Sequence, residues 1–178
     1  MTSLVGASPK RFPVVGLKYL HVFTGGNDGG QPIGGLIFDA KGSLYGTAGG
    51  GRPSGGGIVF RLTESIGGPW KENVLHWFSN TGPGPSQAGL ILDAVGDLYG
   101  TTSGGDSERG GSVFRLKPPT GKGAWSLDLL YAFTGSPDGA HPAAPLIFDN
   151  GSLYGTTQVG GTGQSCQGGC GTAFGVSP

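Results

Sequence analysis

Charge is scarce in this chain. Asp, Glu, Lys and Arg make up only 12% of it, and the eleven basic and eleven acidic side chains cancel to a formal net charge of zero. No cluster of Lys and Arg exists to neutralise a row of phosphates, so nucleic acid is set aside as a partner. Long apolar runs are also lacking. The longest are a handful of residues, far below the ~18 that read as a membrane span, and no signal-type apolar segment follows Met1. No membrane insertion is expected. Helical periodicity is missing too: glycine or proline interrupts nearly every window of a dozen residues, and none carries a sustained apolar period of ~3.6. Helices should be nearly absent and the fold all-β.

Cysteine occurs twice, as Cys166 and Cys170. A disulfide closing this small loop is the preferred reading, because a zinc site would need partner ligands and none lie nearby in sequence. Neither a metal nor any other cofactor is expected.

What the chain has in abundance is glycine. The 40 glycines and 13 prolines exceed a quarter of its 178 residues, a level that by itself suggests disorder. Their spacing argues otherwise, since they punctuate short apolar runs at matched places. The tetrapeptide Leu-Tyr-Gly-Thr begins at Leu44, Leu98 and Leu153. Phe23, Phe78 and Phe133 keep the same register, as do Asp39, Asp93 and Asp149, and so do Phe60, Phe114 and Phe174 after an insertion of about five residues in the third copy that holds the cysteine loop.

Each copy divides into four segments bounded by turn residues. Segment a is Gly35-Leu-Ile-Phe-Asp39 and its equivalents ending at Asp93 and Asp149. Segment b is the Leu-Tyr-Gly-Thr run, reached through a tight glycine-containing turn. Segment c is Ile58–Leu62, Ser112–Leu116 and Thr172–Val176, and segment d is Tyr19–Phe23, Val74–Phe78 and Leu129–Phe133. Four strands in a repeat of this size are the pattern of propeller blades, with solenoids as the alternative. The chain reads as one repeat domain over 1–178, with units at about 17–70, 71–125 and 126–178. It starts with a d segment and finishes on an abc unit. In a closed ring the N-terminal strand 19–23 would complete the last blade. Three blades are fewer than the usual four to eight, so the expectation is a homodimer forming one six-bladed β-propeller; a fragment of a longer array is the alternative.

The assembled pattern, Gly-Leu-Ile-x-Asp, then Gly-x-Leu-Tyr-Gly-Thr-x-x-Gly-Gly, then Val-Phe-Arg-Leu, resembles the choice-of-anchor tandem repeats known as GloVer repeats. The resemblance covers nearly the whole chain. The third copy departs from it with Ala173 before Phe174 and with a longer loop. The Asp-x-x-Gly-x-Leu-Tyr core is also similar to NHL-type propeller repeats. The resemblance implies a secreted bacterial protein with many repeats and a separate surface anchor, and no anchor is found in this sequence.

Catalytic motifs are absent: there is no Gly-x-Ser-x-Gly elbow, no His-Glu-x-x-His and no phosphate loop leading into a helix. Asp39, Asp93 and Asp149 recur in every copy and read as turn-forming residues. Acids that break the repeat are better candidates for chemistry, namely Asp97, Asp106, Glu108, Glu64, Glu72 and Asp128. His21 and His76 share a slot with Tyr131 and read as packing residues. The leading expectation is a non-catalytic extracellular module that binds a polysaccharide or a surface protein through Asp28, Asp138, Trp77, Asp106, Glu108, Arg109, Tyr45, Tyr99 and Tyr154. Here the loops supply polar groups and the rings supply stacking surface. The competing expectations are a propeller glycoside hydrolase or lyase and a structural spacer.

Overall fold

The structure is a computed structural model, and it describes residues 16–51, 55–66, 68–79, 88–104 and 110–178. Among them lie eleven strands and no helix. The first sheet is formed by β1 (Ile37–Phe38), β2 (Leu44–Ala48), β3 (Ile58–Glu64) and β4 (Trp70–Trp77). The second sheet repeats it with β5 (Ile91–Leu92), β6 (Leu98–Thr102), β7 (Ser112–Lys117) and β8 (Ser126–Ala132). The third holds β9 (Ile147–Asp149), β10 (Ser152–Thr156) and β11 (Ala173–Val176). Every pairing is antiparallel between sequence neighbours, so the strand order in each sheet is its chain order or the reverse.

The repeat is reproduced down to its irregularities. The β3–β4 register slips between Val59 and Phe60, and the β7–β8 register slips between Val113 and Phe114. In each case one extra residue, Leu75 or Leu130, bulges from the outer strand. That bulge turns the leucine away from its own ladder and onto the next cluster of the core.

The glycine of Leu-Tyr-Gly-Thr is required by packing. A Cβ on Gly100 would sit 2.7 Å from the Phe114 ring and 2.9 Å from Leu90, and Gly155 stands in the same relation to Phe174 and Leu146. The outer end of the segment c ring therefore closes against the backbone of segment b, where only glycine leaves room for it. The turns between a and b use glycine for another reason: Gly42 and Gly96 adopt φ of 83° and 96°, which a side chain disfavours.

The sheets stack on one another in sequence. Tyr45 and Val59 of the first sheet share a buried cluster with Leu90, Leu98, Phe114 and Leu116 of the second. Tyr99 and Val113 of the second share another with Leu146 and Leu153 of the third. The outer-strand phenylalanine crosses each junction, Phe78 meeting Phe114 at 5.2 Å and Phe133 meeting Phe174 at 4.9 Å, edge to face.

The segment 19–23 differs from expectation. It forms no strand, and the third sheet has three strands where four were expected. A strand needs a ladder partner, and in the single chain these residues lie on the first sheet instead. Leu20 and Phe23 pack on Leu44, Ile58, Phe60 and Leu62, with Phe23 5.0 Å from Phe60.

Candidate functional site

The two complete sheets differ where their outer strands meet segment c. Arg115 on β7 faces Asp128 on β8 and binds it through Nη2 at 2.8 Å and Nε at 3.2 Å. Lys117 joins the same carboxylate at 2.9 Å. The Arg115 guanidinium is held above its ordinary range, first by that bond to Asp128, while Lys117 and Arg115 hold Asp128 below its own. In the first sheet Arg61 occupies the equivalent place on β3 but faces Asn73. Its Nε is buried and finds no hydrogen-bond partner among the described residues, and none of their carboxylates pairs with it.

Arg61 lines a cleft of about 510 Å³ where the a–b turns of the first two sheets approach each other. The cleft is bounded by Asp39, Lys41 and Tyr45 from the first sheet, and by Asp93, Pro118 and Trp125 from the second. The Tyr45 and Trp125 rings stand 6.3 Å apart at 62°. The Arg61 side chain also bonds the Tyr45 hydroxyl, so the cleft sets apolar ring surface beside a guanidinium that has a hydroxyl but no described carboxylate for a partner.

The acids in this cleft are engaged in holding the fold. Oδ1 of Asp39 accepts the backbone N–H groups of Lys41 and Ser43, each at 2.8 Å, and Oδ2 accepts the Tyr45 hydroxyl at 3.0 Å. Burial alone would raise this carboxyl, but those donors outweigh it and hold it below the usual carboxylate range. Asp93 accepts from Val95, Gly96 and Asp97 and from the Tyr99 hydroxyl. Burial, aided by these carboxylates, pushes Tyr45 and Tyr99 up. The third copy departs: Asn150 and Gly151, at φ of 47° and 80°, make a two-residue turn, and Asp149 accepts only from Asn150 among the described contacts.

The remaining sequence-derived candidates fall in separate places. Asp28 accepts from the Thr24 N–H and hydroxyl and meets His21 at 3.2 Å. Asp138 does the same with Thr134 and the Tyr131 hydroxyl. Both carboxyls, which burial alone would raise, are held low by these bonds, so each organises its own loop. Trp77 packs against the core of the first sheet. Tyr45 and Tyr99 are buried and Tyr154 is exposed. Asp106, Glu108 and Arg109 lie outside the described residues. Cys166 and Cys170 form a disulfide.

Sequence reasoning missed Arg61, because Val-Phe-Arg-Leu recurs and hides it. The available signal was across the sheet, where Asn73 replaces the acid that Asp128 provides. Glu72, already singled out in the sequence as an acid that breaks the repeat, is set apart by the same cross-strand comparison. It lies opposite Leu62, where the second sheet sets Leu127 opposite Leu116. Burial pushes Glu72 above its ordinary range, and its Oε1 is buried with no hydrogen-bond partner among the described residues.

The family model of the Gloeobacter/Verrucomicrobia repeat matches residues 12–178. No curated protein matches the chain. Among the described residues no helix is long and apolar enough to cross a membrane.

Proposed function

We propose that this chain, which belongs to the Gloeobacter/Verrucomicrobia repeat family, is a non-catalytic module of the cell exterior that binds an acidic polysaccharide in the cleft between its first two sheets. The sheets serve as propeller-type blades, and their junction forms the site. The observation that carries the reading is Arg61: a guanidinium with a partnerless buried Nε and no carboxylate among the described residues, beside the partly exposed Trp125 ring. Arginine matches a carboxylate with paired donors, and aromatic faces receive the apolar faces of sugar rings. Asp39 and Asp93 are both bonded within turns, and Asp39 is held below the usual carboxylate range, a poor state for a general acid. The disulfide fits an oxidising compartment.

Calorimetric titration with a uronate oligosaccharide tests the proposal. Wild type should bind it in preference to a neutral oligoglucoside. Arg61→Met should lose about 10- to 100-fold in affinity, the effect of a charged hydrogen bond of ~1.5–3 kcal/mol, and the Tyr131→Phe variant should bind normally. Equal affinity in the Arg61 variant would refute the site.

A hydrolase reading has one observation in its favour. Burial raises Glu72, and its Oε1 is buried with no hydrogen-bond partner among the described residues; a carboxyl raised in this way can serve as a general acid. If so, Glu72→Gln abolishes turnover of a polysaccharide and leaves its binding intact.

A further inference from the structure

The same repeat position is covered or bare according to where its sheet lies in the stack. Tyr45 and Tyr99 are 5% and 4% exposed, and Tyr154 is 41% exposed. Leu90 and Leu146 are each 2% exposed, and Leu36 is 50% exposed. At both internal junctions the tyrosine face of one sheet meets the leucine face of the next. The third sheet therefore ends on a bare tyrosine face, extended by Ile147, and the first begins on a leucine face where Leu36 is bare while Leu20 and Phe23 cover the rest.

The strands are complementary in the same sense. Among the described residues the third sheet has β9, β10 and β11 and no strand beside β11 in the place that β4 and β8 occupy. On the leucine face of the first sheet lies the counterpart of that strand without a sheet of its own. Leu20 and Phe23 sit there as Leu75 and Phe78 sit at the first junction and Leu130 and Phe133 at the second. One end of the stack lacks an outer strand, and the other end carries an outer strand that lacks its sheet.

We propose that these ends are the two halves of one interface and that a second copy of this chain occupies each. The Tyr154 face of one copy covers the Leu36 face of the other, and residues 19–23 of that other copy pair with β11 as its fourth strand. This is β-strand addition reinforced by a packed sheet face. The two interior junctions specify its geometry. Each copy offers both halves, so two copies close on each other with six sheets between them.

Light scattering on a size-exclusion column, from micromolar concentration upward, tests this. The wild type should run at about twice the mass of the 17.8 kDa chain. Tyr154→Asp and Leu36→Asp place a charge on opposite halves, and each alone should give a monomer with unchanged circular dichroism. An equimolar mixture of the two variants should recover a dimer, because one intact junction remains between them. A wild-type monomer overturns the proposal. So does a Leu36→Asp variant that still dimerises, which would mean that tyrosine faces meet each other, and so does open-ended growth with concentration. Since Leu36 and Tyr154 are exposed, Leu36→Ala and Tyr154→Ser serve if either charged variant misfolds; both must weaken the dimer for the proposal to stand.

Discussion

The Tyr45 hydroxyl donates to Oδ2 of Asp39 at 3.0 Å while Oδ1 of the same carboxylate accepts the backbone N–H groups of Lys41 and Ser43. One aspartate thus ties the a–b turn to the buried ring that forms the junction with the next sheet. Tyr99 and Asp93 repeat the arrangement at 3.2 Å. Asp93→Ala should cost about 1–3 kcal/mol, since it strips a hydroxyl and several backbone donors of their acceptor. Asp93→Asn, which keeps an acceptor oxygen, should cost less. Urea denaturation of the two variants measures the difference.

These carboxylates also govern behaviour in acid. Asp28, Asp39 and Asp138 have folded-state pKa values below the ordinary aspartate range. Their contribution to stability is complete above the unfolded value of ~3.9 and is lost as the pH falls through the lower folded values. The thermal midpoint should therefore hold steady from neutrality to about pH 5 as far as these groups are concerned, and fall below pH 4. Replacing Asp39 and Asp138 by Asn should flatten the acid limb in scanning calorimetry.

The motif glycines should tolerate alanine unequally. A Cβ at Gly100 meets Phe114 and Leu90, both buried at an internal junction, whereas at Gly46 one of its two neighbours is the exposed Leu36. Overpacking a closed site costs about 1–3 kcal/mol, so Gly100→Ala should reach that range and Gly46→Ala should fall below it. Chemical denaturation of the pair checks the ordering.

The two arginines should separate stability from binding. Arg115→Met breaks a partly exposed ion pair and should lower stability only slightly. Arg61→Met removes a buried unsatisfied nitrogen, so its thermal midpoint should stay level or rise. A large fall in midpoint for Arg61→Met would show that its bond to the Tyr45 hydroxyl holds the junction together.

The disulfide closes a short loop outside the sheets. Chain-entropy reasoning gives about 2 kcal/mol for such a loop. Reduction should lower the melting temperature and leave the strand content seen by circular dichroism unchanged.

Much of the fold was legible because the chain repeats. The a–b–c–d division located every strand that formed, since glycine turns and alternating apolar residues set strand limits locally. The segment 19–23 was not legible in this way: it has a strand's sequence, but its ladder partner is a matter of tertiary arrangement, and β11 lies at the opposite end of the stack. The candidate site was harder to see for a related reason. Asp28 and Asp138 stood out as loop acids, yet they bond to Thr24 and Thr134 within their own turns. Arg61 was concealed by its repetition as Arg115, and only the cross-strand register, Asn73 against Asp128, separates them.

Under the proposed function, a polysaccharide binds at the junction of the first two sheets. The most direct test is to map amide and indole chemical-shift changes by NMR while a uronate oligosaccharide is added. Changes should concentrate at Tyr45, Arg61 and the Trp125 indole, with the loops holding Asp28 and Asp138 undisturbed. Changes centred on those loops, with the cleft silent, would contradict it.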